Sequence, residues 1–276
     1  MSLETEAKDR TKPGSGRAAS PTDDGGMRET AKIIVQALAL AMIVRIFLFQ
    51  PFNIPSGSMK PTLLVGDYIF VSKLAYGYSR YSFPFGVVPF AGRVLASEPT
   101  RGDVIVFKLP SDNSTDYIKR LIGMPGDEIQ MREGTLHING QAVPKTFVDD
   151  VVLTECGERV SSCREARYRR SNETLPNGVV YTTFAMTQGG YMNNTRTYKV
   201  PAGHYFMMGD NRDNSTDSRV PMEDRGVGFV PRENLVGRAN VIFFSNTGDE
   251  TATLSLFKPW TWPTGIRLRR FFSWVR

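Results

Sequence analysis

Two side chains in this sequence could serve as a nucleophile and its base. Ser58 lies in Pro55-Ser-Gly-Ser-Met-Lys-Pro-Thr-Leu63, and Lys119 lies in Asp116-Tyr-Ile-Lys-Arg-Leu-Ile-Gly123. A serine hydroxyl attacks well only when a base takes its proton, and a lysine can be that base only while neutral. Free lysine titrates near pH ~10.4, but burial away from a counter-ion lowers this by several units. On a strand, Lys119 would share its side with Leu121 and sit next to Ile118, with Arg120 on the other face. The spacing alone equally allows Lys119 to face solvent and Ser58 to be an ordinary turn serine. Other hydrolytic signatures are missing: there is no HExxH, no Gly-x-Ser-x-Gly elbow and no P-loop. The only histidines are His137 and His204. Both fall in strand-like runs, which leaves a histidine-based triad poorly served.

The segments around these residues resemble those of a known family. The Ser58 segment is similar to the nucleophile box of bacterial type I signal peptidases, also called leader peptidases. Arg101-Gly-Asp-Val-Ile-Val-Phe107 and Asp116-Tyr-Ile-Lys-Arg-Leu-Ile-Gly-Met-Pro-Gly-Asp127 resemble the strand and the lysine box that follow it. Met208-Gly-Asp-Asn-Arg-Asp-Asn-Ser-Thr-Asp-Ser-Arg219 resembles the last box nearly letter for letter. The likeness runs from about residue 30 to 268, loosely over 145–199 and not at all over the first 30 residues. It implies a serine endopeptidase with Ser58 attacking the scissile carbonyl and Lys119 as general base. The Ser58 N–H and the Ser56 hydroxyl would hold the oxyanion, Ser215 would orient Lys119, and Asp217 with Arg219 would form a bracing ion pair. No metal and no cofactor is implied. On its own, the last box could be a calcium loop, but it lacks the EF-hand glycine and glutamate spacing.

The resemblance also implies the substrate, a signal-peptide-bearing preprotein cut after an Ala-x-Ala site. An extended peptide would add to strand edges beside Phe52–Ile54 and Asp116–Ile118, with Tyr117 between the ends of the latter. Ile54, Met59, Val106 and Ile118 would wall two shallow pockets for alternate side chains. Two rival readings remain: a specialised relative that matures one pilin or conjugation factor, and an inactive membrane-anchored binding domain.

These residues need elements to position them. The run Ile33-Ile-Val-Gln-Ala-Leu-Ala-Leu-Ala-Met-Ile-Val-Arg-Ile-Phe-Leu-Phe49 would form about 25 Å of helix, close to a single membrane span. Arg45 lies near its end, where it can snorkel to the head groups. Arg17, Arg28 and Lys32 precede the run, which predicts a cytoplasmic N-terminus; the resemblance implies that the membrane is the bacterial inner (plasma) membrane, with a periplasmic catalytic domain. Beyond Pro51 the pattern is short β runs, with Asn139-Gly140 a hairpin turn and Gly-Asp pairs as recurring punctuation.

The expected fold class is therefore mainly β: an antiparallel signal-peptidase-like catalytic domain with an inserted β subdomain, preceded by one transmembrane helix. Residues 1–30 are expected to be a disordered tail, 31–50 the anchor, 51–144 with 200–276 the catalytic core, and 145–199 the insert. The tail from Trp260 to Arg276 reads as a membrane-interface element. Cys156 and Cys163 lie in the insert, spaced for a small disulfide loop or two free thiols. Across 276 residues the net charge is +6. This suits a membrane-lipid surface, and without a long basic run it does not point to nucleic acid.

Overall fold

The computed structural model describes residues 24–83, 92–156, 163–187, 190–247 and 265–276. The chain divides into two units, Met1–Met42 and Ile43–Arg276. Helix α1 runs from Asp24 to Phe47. It begins inside the tail expected to lack structure; residues 1–23 of that tail lie outside the described residues. It also ends earlier than the expected anchor, because Phe49 already belongs to a strand. The stretch Gly26–Phe47 is long and apolar enough to cross a membrane.

The remainder is β structure, in agreement with the expected fold class. Among the described residues the main sheet is antiparallel and has eight strands. It contains β1 (Phe49–Asn53), β2 (Asp67–Ser72), β3 (Val104–Lys108) and β4 (Asp116–Gly123). A second sheet begins with β5 (Glu128–Arg132), β6 (Thr135–Ile138) and β7 (Gln141–Ala142), the last two joined by the Asn139-Gly140 turn. The insert follows as a three-stranded sheet of β8 (Lys145–Cys156), β9 (Cys163–Thr174) and β10 (Val180–Met186). The chain then adds β11 (Tyr198–Lys199), β12 (His204–Met208), β13 (Val230–Pro231), β14 (Leu235–Ser245) and β15 (Ser273–Trp274). The main sheet is ordered β1-β2-β14-β3-β4-β12-β13, with β15 also on β14. β11 pairs with β5, so the insert sheet ends at Met186, short of the expected residue 199.

Three of the Gly-Asp pairs, Gly66-Asp67, Gly102-Asp103 and Gly126-Asp127, share one turn. Leu64, Thr100 and Met124 each donate a backbone N–H to the Oδ2 of the aspartate three residues on, at 2.8, 3.0 and 2.7 Å. Each aspartate N–H returns to the carbonyl of that same residue. Gly66, Gly102 and Gly126 take φ of 87°, 97° and 91°, a region that favours glycine. Two of these turns launch β2 and β3, and the third leads into β5.

The C-terminal segment is held by the body from residue 265 on. Arg270 pairs with Asp67 at 2.6 Å, and Arg267 donates to Val65 O. Leu268, Phe272 and Trp274 remain exposed on it. The part spanning 260–264 lies outside the described residues.

Candidate active site

Ser58 is the middle residue of a 3-10 turn, Gly57–Met59, that follows β1. Lys119 stands midway along β4, flanked in the sheet by β3 and reached from the turn side by Ser58. Lys119 Nζ donates to Ser58 Oγ across 2.7 Å, and both side chains are buried, at 3% and 7% exposure. Burial lowers the Lys119 pKa to about 8; Asp217 and Asp210 pull it up and Arg219 pushes it down. Desolvation wins because neither carboxylate is in contact with the amine, so each acts only at a distance. A large fraction of such lysines is neutral near pH 8. Ser56 Oγ lies 3.3 Å from Ser58 Oγ.

A cleft of about 670 Å³ opens over this pair. Phe52, Ile54, Val106 and Asp116–Lys119 line one end, and Tyr191, Asp213, Ser215 and Thr216 the other. Among the described strand pairings, β1 is bonded only to β2, and β12 meets β4 only from Arg120 onward. The edges at Phe52–Asn53 and at Asp116–Ile118 are therefore unpaired on their cleft sides. Unpaired edges of this kind can accept an added strand through main-chain hydrogen bonds.

Two expected roles are corrected. Met59 does not wall the cleft: it has no exposed surface and packs in the core with Leu63, Ile69 and Val71. The 3-10 turn that presents Ser58 outward rotates its neighbour inward. Ser215 does not hydrogen-bond Lys119; its Oγ is buried without a partner while the amine bonds Ser58. The Asp217–Arg219 pair is present, bidentate at 2.8 Å for both contacts, and Asp217 Oδ2 also accepts the Gly209 N–H at 2.9 Å. The Cys156 and Cys163 backbones are register partners at the far end of the β8–β9 pair. Their side chains lie outside the described residues.

Other residues in the site had no assigned role in the sequence. A Cβ on Gly209 would meet Ser215 Oγ at 2.2 Å and Ser58 O at 2.6 Å, so only glycine fits there. Asn211 N–H donates to Ser58 O at 3.1 Å, and Asn211 Nδ2 donates to Gly57 O at 3.3 Å, clamping the Gly57–Met59 turn. Arg120, the neighbour of Lys119, makes a buried bidentate pair with Asp210 at 2.8 and 2.7 Å. Asp210 also accepts from Thr62 Oγ1 at 2.5 Å. The insert reaches the same loop. Phe184 N–H donates to Asp210 O and its carbonyl accepts Arg212 N–H, while Arg212 pairs with buried Glu173 at 2.5 Å. Asn211 and Arg212 are visible inside the last box, but only pairing geometry reveals what they hold.

A serine hydroxyl bonded to a buried lysine, in a cleft edged by unpaired strands, is the arrangement of a serine peptidase. A family model described as signal peptidase, peptidase S26 matches residues 27–244. The signal peptidase I of Rickettsia typhi is 42% identical over 251 residues, which is 86% of this chain and 89% of that protein. That of Rickettsia conorii is 40% identical over 250 residues, 85% of this chain and 88% of that one. A signal peptidase I crystal structure from Enterococcus faecalis V583 is 26% identical, covering 51% of this chain and 97% of its own, with a TM-score of 0.29. The chain belongs to the signal peptidase I family of S26 serine peptidases, which cleave signal peptides from preproteins.

Proposed function

We propose that Ser58 and Lys119 are the catalytic dyad and that the chain cuts preproteins after Ala-x-Ala sites on the outer side of the bacterial inner membrane. The 2.7 Å contact between Lys119 Nζ and Ser58 Oγ, in a buried setting that favours the neutral amine, carries this reading. Neutral Lys119 takes the Ser58 proton as Oγ bonds to the scissile carbonyl carbon. The developing oxyanion is held by the Ser58 N–H and the Ser56 hydroxyl, donors worth a few kcal/mol each. As the C–N bond breaks, the lysine proton passes to the leaving amine and an ester to Ser58 remains. The Lys119 amine then takes a proton from water as the water oxygen attacks the ester, and returns that proton to Oγ as the ester C–O bond breaks and the product acid leaves.

Ser215 supports this by packing beside the dyad, and the Asp217–Arg219 pair fixes the loop that presents it. The substrate strand lies between Phe52–Ile54 and Asp116–Ile118. Ile54, Val106 and Ile118 then crowd the alternate positions so that only small side chains enter. The apolar stretch Gly26–Phe47 serves as the anchor, with the basic residues before it on the cytoplasmic side.

The test is cleavage of one Ala-x-Ala preprotein in detergent. Ser58→Ala and Lys119→Ala are expected to abolish it, and His137→Ala and His204→Ala to leave it nearly intact. A histidine variant as inactive as Ser58→Ala would refute the dyad.

A further inference from the structure

Asp116 lines the cleft on one side and a second cavity on the other. That cavity, about 510 Å³, lies within the Ile43–Arg276 unit and is walled by Arg45, Gln50, Lys73, Tyr81, Lys108 and Asp116 among others. Its charge is unbalanced. Three cations face one carboxylate, and that carboxylate is already taken by Lys108 Nζ at 2.9 Å. Arg45 has no hydrogen-bond or ion-pair partner among the described residues. Lys73 is 2% exposed, and among the described residues its Nζ is bonded only to a neutral carbonyl, Ser82 O, at 2.5 Å. Burial and the Arg45 charge, in that order, lower the Lys73 pKa to about 8, against a smaller pull from Asp116. A buried cation beside a second unpaired cation is a site that lacks an anion.

The position of Arg45 narrows the choice of anion. It stands in the last turn of α1. The apolar stretch Gly26–Phe47, 22 residues, is about 33 Å long, close to the ~30 Å hydrocarbon thickness of a bilayer. On the reading that this stretch spans the membrane, its last turn meets the head-group layer, where phosphate is the abundant anion. A guanidinium suits phosphate by bidentate hydrogen bonding, and two lysines add point charges. Tyr81, apolar in its ring and polar at its tip, is the side-chain type found at that depth.

We propose that this cavity binds the phosphate head group of an anionic phospholipid through Arg45, Lys73 and Lys108. Because Lys108 also holds Asp116, the first residue of the substrate edge on β4, an occupied site reaches the peptidase cleft through one side chain. The inference rests on the membrane-span reading but not on the catalytic dyad.

Native mass spectrometry of the full chain in detergent, given equal phosphatidylglycerol and phosphatidylcholine, tests it. Wild type and Ser58→Ala are expected to retain phosphatidylglycerol about tenfold over phosphatidylcholine. Arg45→Gln and Lys108→Gln are expected to bring that ratio near one, with an unchanged melting temperature in lipid-free detergent. An equal ratio in wild type and Arg45→Gln would overturn the proposal. Loss of the wild-type preference on adding inorganic phosphate would overturn the lipid as source, assigning the site to soluble phosphate instead. Carbonate extraction of membranes checks the span separately. A chain released by alkali removes the proposed position of Arg45, whereas a chain that resists it but shows no preference sinks the head-group site alone.

Discussion

Replacing Lys119 by methionine keeps most of its volume and removes the charge, which separates what the base does for catalysis from what it costs the fold. The folded protein holds this amine at a pKa of about 8, against 10.5 for the free side chain. That difference corresponds to about 3 kcal/mol working against the charged, folded form. The sign follows from linkage: for a cation with a lowered folded value, the penalty is complete below pH 8. It fades as pH rises from 8 to 10.5 and is absent above that. Methionine removes the penalty and also the hydrogen bond to Ser58, worth about 1 kcal/mol. Lys119→Met is therefore expected to be inactive yet about 2 kcal/mol more stable than wild type at pH 7. In detergent this would appear as a melting temperature higher by about 4–8 °C at pH 7, a gain that disappears by pH 10.5. A difference that stays flat across pH, or a less stable variant at pH 7, would refute the claim that burial lowers the pKa of this lysine.

The same pKa sets the rate profile. The neutral fraction of Lys119 rises from about one tenth at pH 7 to about nine tenths at pH 9, so kcat/KM should rise about ninefold along that acid limb. Lys119→Arg, which cannot release its proton, should stay inactive at every pH in the same assay. Gly209→Ala forces a methyl group against Ser215 and the Ser58 carbonyl, and kcat is expected to fall at least a hundredfold with little change in KM. Wild-type turnover in that variant would remove Gly209 from the site. The register pairing of Cys156 and Cys163 puts their Cα atoms within disulfide reach, so peptide mapping without reductant should find them linked. Cys156→Ser with Cys163→Ser should keep its activity at a stability loss of about 2 kcal/mol.

The residues legible in the sequence are those whose chemistry is carried by type. Ser58 and Lys119 stand out because few other side chains could pair as nucleophile and base, and the structure places them in contact. The β character, the Asn139-Gly140 hairpin and the Gly-Asp turns follow from local preferences, which survive folding unchanged. Met59 escapes such a reading because its direction depends on the 3-10 turn around Ser58, and no periodicity marks a three-residue turn. Ser215 is tied to Lys119 by resemblance alone, while the packed loop leaves its hydroxyl facing no partner. The Arg120–Asp210 and Glu173–Arg212 pairs join residues 90 and 39 positions apart. Sequence spacing carries no trace of such long-range partners. The start of α1 at Asp24 is hidden because its first turns carry Gly, Arg and Glu, which a search for apolar runs passes over.

The clamp on Ser58 has a consequence for when the site is assembled during the chain's own synthesis. Ser58 O is held by Asn211, Asn211 is flanked by Asp210 and Arg212, and these are tied to Phe184 and Glu173 on the insert sheet. Four stretches spread over more than half of the chain must meet before the serine and lysine are fixed. Contacts of such long range form late, after the loops between them have closed. A chain that has emerged only as far as Lys119 already contains both reacting groups but lacks the loop that fixes the serine. Cleavage by a Ser58–Lys119 pair would thereby wait until the whole β domain has folded, and a half-made molecule would be a harmless one.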